Sequence, residues 1–364
     1  MSGLPAARPA PRLRGLRLEP RAAPSQAMRY GSPLLALALT AAFGALLFVA
    51  LGRDPLSGLQ VFLIAPLESA RGWSEVGLKM TPLLLASVGL AICYRANVWN
   101  IGAEGQLVAG AIAAGGVALL ATPESPRAFV LAVLAAGAAG GLAWAAITAL
   151  LRDRFHANEI LVSLMLTYIA QLWLLYLVHG PWRDPMGFSF PYSRQFEAAA
   201  LVPLIAPPTR LHAGLLIAFA AALAAWLYLA RSRSGFALQV AGAAPAAARF
   251  AGFSWRRGLW ISLAASGALA GLAGALEVAG PIGQLTPNVS PGYGFAAIIV
   301  AWLGRLHPIG CVLAAFAMAL VYIGGELSQS RLGLPHAITG VFQGMLLLTL
   351  LACDTLVHYR IRRS

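Results

Sequence analysis

R-A-N-V-W-N-I-G-A-E-G-Q-L, residues 95–107, lies between two long apolar segments and is itself rich in groups that a bilayer excludes. Asn97, Asn100, Glu104 and Gln106 are polar, and Gly102 and Gly105 loosen the backbone. Polar and ionisable residues at membrane depth are costly and face a bundle interior or a water-filled path. Irregular backbone is tolerated there only where protein buries it or water reaches it. The stretch therefore reads as the centre of a transport pathway. The plainer alternative is a short polar loop.

The rest of the chain supplies the surroundings such a stretch needs. Hydrophobic residues make up 59% of the 364, and charged residues only 11%. Soluble domains carry about a quarter charged residues. Apolar runs of about 20 residues recur, the length a helix needs to cross a bilayer. Each spanning helix satisfies its own backbone hydrogen bonds. The expected class is all-α: a polytopic membrane protein with spans near 33–52, 79–94, 105–121, 128–151, 158–179, 211–230, 257–278, 293–304, 307–325 and 337–355. The 293–304 run is short, either tilted or fused with its neighbour around Gly304–Pro308. Residues 31–356 form the membrane domain, flanked by a disordered basic tail over 1–30 and a short basic tail over 357–364. The 33–52 run is too long for a signal-peptide core and reads as a retained span. Met1 and Met28 are both candidate starts.

Ten spans put both termini on one side. With that side cytoplasmic, the inner segments carry more than twice as many of the 26 basic residues as the outer ones. This is the asymmetry of membrane topology. Two outer segments are long, 53–78 and 180–210; they are either extracytoplasmic helices and a docking surface or plain connections.

Composition also excludes chemistry. The net charge of +13 comes from arginines gathered in particular loops, so it points to topology and not to nucleic acid. Lys79 is the only lysine and Met80 follows it, so no G-x-x-x-x-G-K-[ST] phosphate loop exists. If ATP drives this chain, another subunit hydrolyses it. The six histidines have no H-x-x-x-H or H-E-x-x-H spacing, and no G-x-S-x-G occurs. Cys93, Cys311 and Cys353 sit in or beside apolar segments as small hydrophobes. No metal site, cofactor or enzyme activity is expected.

Further patterns stand out. Glu159, Ser163, Thr167 and Gln171 recur every four residues, one polar stripe on an otherwise apolar helix, lining either a cavity or another helix. Gly137 and Gly141, Gly267 and Gly271, and Gly340 and Gly344 are spaced for close helix packing. Residues 231–256 form a long cytoplasmic loop. Within it Pro245 suits a helix start and Gly252 the position just past its end. This short Ala-rich helix, with Ala247 and Arg249, is suited to docking into a partner's groove; otherwise it is an ordinary connection. Glu277 is either a substrate contact or an interfacial carboxylate.

Four stretches together carry a family resemblance: Asn100–Gln106, Ala157–Ala170, Gly242–Gly252 and Gly292–Gly310. The chain resembles the inner-membrane permease subunits of bacterial ABC importers for ribose-like sugars, nucleosides and branched-chain amino acids. The nucleoside or simple-sugar branch is the most similar. The resemblance implies a fold of the vitamin B12-importer type, in the bacterial cytoplasmic membrane with both termini cytoplasmic. It also implies two ATP-binding subunits, a second permease chain (heterodimer or homodimer) and an extracytoplasmic substrate-binding lipoprotein. Asn100, Glu104, Gln106, Ser163 and Thr167 would line or support the substrate path. Gly242, Pro245, Ala247, Arg249 and Gly252 would couple to the ATPase. Two residues depart from the family pattern: Ala244 stands where Asn is usual before the proline, and Thr167 where Asn is usual. Ala caps a helix poorly, so that helix start is either frayed or capped otherwise. The rival reading is an ion-coupled secondary transporter, which also uses intramembrane carboxylates and broken helices.

Overall fold

In the computed structural model, residues 16–21 and 25–363 are described. In chain order the regular elements are β1 (Leu16–Pro20), α1 (Gln26–Ala50), α2 (Pro55–Leu59), α3 (Ala70–Arg95), α4 (Ala103–Ala118), α5 (Phe129–Phe155) and α6 (Glu159–His179). They continue with α7 (Gly214–Arg231), α8 (Arg233–Ala243), α9 (Pro245–Phe250), α10 (Trp255–Glu277), α11 (Tyr293–Leu303), α12 (Pro308–Leu332), α13 (Ala337–His358) and β2 (Tyr359–Arg363). A helix stands at each of the ten expected spans. Among the described residues, eight helical segments are long and apolar enough to cross a membrane. The other two positions hold the shorter α4, 16 residues, and α11, 11 residues. α11 is not fused with α12: Gly304 caps it, and Arg305 and Leu306 take left-handed backbone (φ 58 and 53) before α12 begins.

The chain divides into two units, Met1–Val61 with Ser328–Ser364, and Phe62–Leu327. In the first, α1 runs against α13. The Thr40 and Thr349 hydroxyls meet at 2.9 Å, and the Phe48 and Phe342 rings lie 5.9 Å apart. Leu16–Pro20 pairs antiparallel with Tyr359–Arg363, and Glu19 binds Arg360 at 2.6 Å. These segments fall within the two expected tails, which therefore need correcting where they are described: 16–20 and 359–363 are strands, and Gln26 already starts α1 behind the Ser25 cap. Residues 1–15 and 22–24 of the expected tail lie outside the described residues.

The second unit is built on α3, in which every residue from Met80 to Tyr94 is buried. α10, α11 and α7 surround it. α3 starts at Ala70, so much of the expected outer segment 53–78 is helical. The other outer segment is largely irregular and is stitched along residues 279–285. Ser193, Phe196 and Val202 donate backbone N–H groups to the carbonyls of Leu285, Gly283 and Ala279 at 2.8–3.0 Å. α5, α6 and α7 bury only about a quarter of their apolar stretches, and exposed residues such as Leu172 and Leu216 suit a lipid-facing surface.

Glycines set the closest approaches. A methyl on Gly141 would collide with the Gly267 carbonyl, one on Gly271 with the Gly137 carbonyl, and one on Gly110 with the Gly271 backbone. The stripes of α5 and α10 thus interlock, and α4 packs against both, the close approach that small residues allow in membranes. The third stripe does not behave this way: a Cβ at Gly340 or Gly344 meets nothing within 4 Å.

The contrast is testable. Gly271→Ala overpacks a backbone contact and should destabilise by about 1–3 kcal/mol. Gly344→Ala, which only gains helix propensity, should be neutral or stabilising by up to about 1 kcal/mol. In detergent, the melting midpoint should fall for Gly271→Ala and stay level or rise for Gly344→Ala.

Candidate functional site

The central stretch begins where α3 ends. Val98 N–H returns to the Cys93 carbonyl at 3.0 Å, closing the helix, and Asn97 takes the left-handed turn (φ 56) that Asn tolerates. The chain then crosses to Gly102, and every residue from Gly102 to Ile112 is buried. At the turn the Tyr94, Trp99 and Trp302 rings gather with centroids 5.6–6.1 Å apart, and Trp99 is partly exposed.

The polar residues satisfy one another and the backbone. Asn100 and Gln106 exchange amide hydrogen bonds of 3.0 and 3.1 Å, and Asn100 also donates to the Ser266 hydroxyl of α10 at 3.0 Å. The Asn100 side-chain carbonyl accepts the Gly102 N–H at 3.0 Å. Buried polar groups are stable only when bonded in this way.

Glu104 is 1% exposed and reaches across to α11. Its Oε2 accepts the Gly294 N–H at 2.7 Å, and the Ser290 hydroxyl and Gly292 N–H also face the carboxylate. The first N–H groups of a helix have no partner inside it, and a carboxylate there is favoured by the helix dipole as well. Gly294 makes the approach possible, because any side chain would strike the Glu104 backbone. Glu104 thus caps a neighbouring helix.

Ser163 and Thr167 sit against the same stretch. The Ser163 hydroxyl accepts the Ile101 N–H at 3.2 Å and lies 3.2 Å from the Ile160 carbonyl, and Thr167 donates to the Ser163 carbonyl at 3.1 Å. Both rest on glycine: a Cβ at Gly102 would lie 2.8 Å from Ser163, and one at Gly105 2.6 Å from the Thr167 Cα. Ser163 and Thr167 of the α6 stripe thus pack against the start of α4. Glu159 pairs with Arg152 at 2.9 Å, and Gln171 is half-buried. Glu277 is buried at the end of α10.

The loop 231–256 contains more structure than its sequence suggests. Ser232 caps α8 by accepting the Gly235 N–H at 2.9 Å. α9 then starts at Pro245, with no side-chain cap from Ala244, and ends before Gly252 (φ 78). Ala247, Arg249 and Phe250 are exposed, and Ala248 is buried. Gly242 belongs to α8, not α9, and presses on the Arg95 carbonyl. A cleft of about 290 Å³ runs beside α9 between Pro245, Arg249, Phe253 and Trp255. Ser266 and Ser290 are site residues the sequence did not single out. Among the described residues, no three His, Cys, Asp or Glu side chains gather where they could hold a metal ion.

Comparison with known proteins adds a third line. Residues 74–351 match the family of branched-chain amino acid transport system permease components. The chain is 35% identical to the glucose ABC transporter permease protein TsgB13 of Haloferax volcanii, over 95% of its own length and 93% of the relative's. It is 32% identical to the guanosine ABC transporter permease protein NupP of Bacillus subtilis, over 87% and 91% of the two chains. It is 28% identical to the nucleoside ABC transporter permease protein NupB of Lactococcus lactis, over 85% and 87%.

The Glu104 cap predicts a graded response. Glu104→Gln keeps an acceptor for Gly294 N–H, whereas Glu104→Ala strands it, which should cost about 1–3 kcal/mol more. Hydrogen exchange should show residues 292–296 losing protection in Glu104→Ala and keeping most of it in Glu104→Gln.

Proposed function

We propose, from the premise that this chain belongs to the branched-chain amino acid transport system permease family, that it forms the solute path of an ATP-driven importer for nucleosides or simple sugars. It is a multi-pass membrane protein and a transport component, not an enzyme. The observation that carries the solute class is near-full-length similarity to permeases named for glucose, guanosine and nucleosides. A permease component works with ATPase and substrate-binding partners. Here these are two ATP-binding subunits, a second permease chain and an extracytoplasmic lipoprotein, assembled in a bacterial cytoplasmic membrane with both termini of this chain inside. The single Lys79-Met80 pair leaves hydrolysis to the separate subunits.

Asn100, Glu104, Gln106, Ser163 and Thr167 support the path in this reading. Each is no more than 1% exposed and already bonded, so they fix α4, α6, α10 and α11 in register beneath it. α9 is the docking helix for the ATPase, with Pro245, Ala247 and Arg249 on it, Gly252 ending it and Gly242 holding α8 to α3. Its support is the exposure of Ala247, Arg249 and Phe250 beside the cleft.

Vesicles reconstituted with the partner subunits should take up a nucleoside or sugar only with ATP. Uptake that needs an ion gradient and ignores ATP would replace this reading with a secondary transporter. The docking helix has its own test. Ala248 N–H bonds the Ala244 carbonyl at 3.0 Å, so Ala248→Pro removes a bond that a first-turn proline would spare. It should preserve membrane insertion and abolish both uptake and substrate-stimulated hydrolysis. Arg249→Glu should weaken co-purification of the ATPase, most at low salt, where surface charges are least screened. Full coupling in both variants would move the docking site to the Arg152–His156 turn.

A further inference from the structure

The last residue of α3, Arg95, joins three elements that the proposed function treats separately. Its Nε–H donates to the Leu306 carbonyl at 2.7 Å, in the turn between α11 and α12. Its Nη1 donates to Gln239 Oε1 of α8 at 2.6 Å. Gln239 is held in turn: its Nε2 donates to the Leu229 carbonyl of α7 at 2.8 Å and to the Gly235 carbonyl at 3.2 Å. Gly242 brings the α8 backbone onto the Arg95 carbonyl and Ala96.

The central stretch therefore grips α11 at both ends. Glu104 holds its first amides, and Arg95 holds the turn just past its last residue. α11 has 11 residues and spans about 16 Å, about three turns held at both ends. A displacement of α8 acts through Gln239 and Arg95 on the Leu306 turn, and so on α11 as a body. The planar guanidinium presents its donors to the two acceptors in fixed directions, whereas a lysine ammonium is compact, with donors that rotate freely on a flexible stem.

We infer that Arg95 is a positioning residue that relays movement of α8 and α9 to α11, with Gln239 as its input and the Leu306 carbonyl as its output. This rests on the reading of α9 as the ATPase-docking helix. Coupling carried by a rigid hydrogen-bonded chain requires that cutting one link uncouples the ends without dissolving either.

The test uses the full complex in vesicles, with Gln239→Ala, Gln239→Glu and Arg95→Lys. Solute taken up per ATP hydrolysed should fall about tenfold in Gln239→Ala and Arg95→Lys, with basal hydrolysis and ATPase co-purification unchanged. Gln239→Glu keeps the acceptor for Arg95 but loses both Nε2 donations, so it should lower the ratio less than Gln239→Ala does. Spin labels at the exposed Ser234 and Ile309 supply a readout that needs no solute. Their separation should be narrow and insensitive to nucleotide in the wild type, and should broaden with ATP in Gln239→Ala. Parallel loss of uptake and hydrolysis, or an unchanged ratio with unchanged label separation, overturns the relay. A wild-type complex that imports neither nucleosides nor sugars overturns the function reading instead, and the label separations then decide the relay alone.

Discussion

A carboxylate buried at the start of α11 is the constraint on which the rest of the second unit depends. Backbone amides at membrane depth have no water to turn to, so a helix that starts there needs a donated acceptor. Glu104 supplies it, and supplying it dictates the neighbourhood. α4 must begin at the same depth as α11, so the chain has to cross from α3 by an irregular stretch with its own polar needs. Asn100, Gln106 and Ser266 meet those needs. Gly294, Gly102 and Gly105 let three backbones approach within the reach of one side chain. Take away the short, broken α11, and this set of polar residues would have no reason to be buried together.

The positions of the helices were legible in the sequence because apolar length is a local property. The ten runs all became helices, and the polar centre at 95–107 was visible because it violates the pattern on either side. What stayed hidden was partnership. Glu104 is satisfied from 190 residues away and Asn100 from 166. The four-residue spacing of Ser163 and Thr167 identified a face but not what covers it. The covering surface turned out to be glycine, which leaves no side-chain signal of its own. α8 was missed for a related reason: its cap, Ser232, sits in an R-S-R-S run that reads as loop chemistry until the helix behind it is seen. The strand pair was missed because each half alone looks like a basic tail.

The glycine spacings show the same limit. Three stripes have the same four-residue period, and two of them interlock across α5 and α10 while the third faces open space. Spacing tells where helices could come close. Only the opposing backbone tells where they do.

The 190-residue separation between Glu104 and Gly294 also has a consequence for biogenesis. α4 emerges from the ribosome long before its partner is made. It is 16 residues long and carries Glu104 and Gln106 in its first turn, so lipid alone is a poor host for it. The nascent chain must shelter this segment, against α3 and α5 or at the translocon, until α10 and α11 arrive. Completion of the polar centre is therefore a late event in synthesis, and a chain truncated before residue 290 would lack all three groups that bind Glu104. Such chains carry their own mark for membrane quality control.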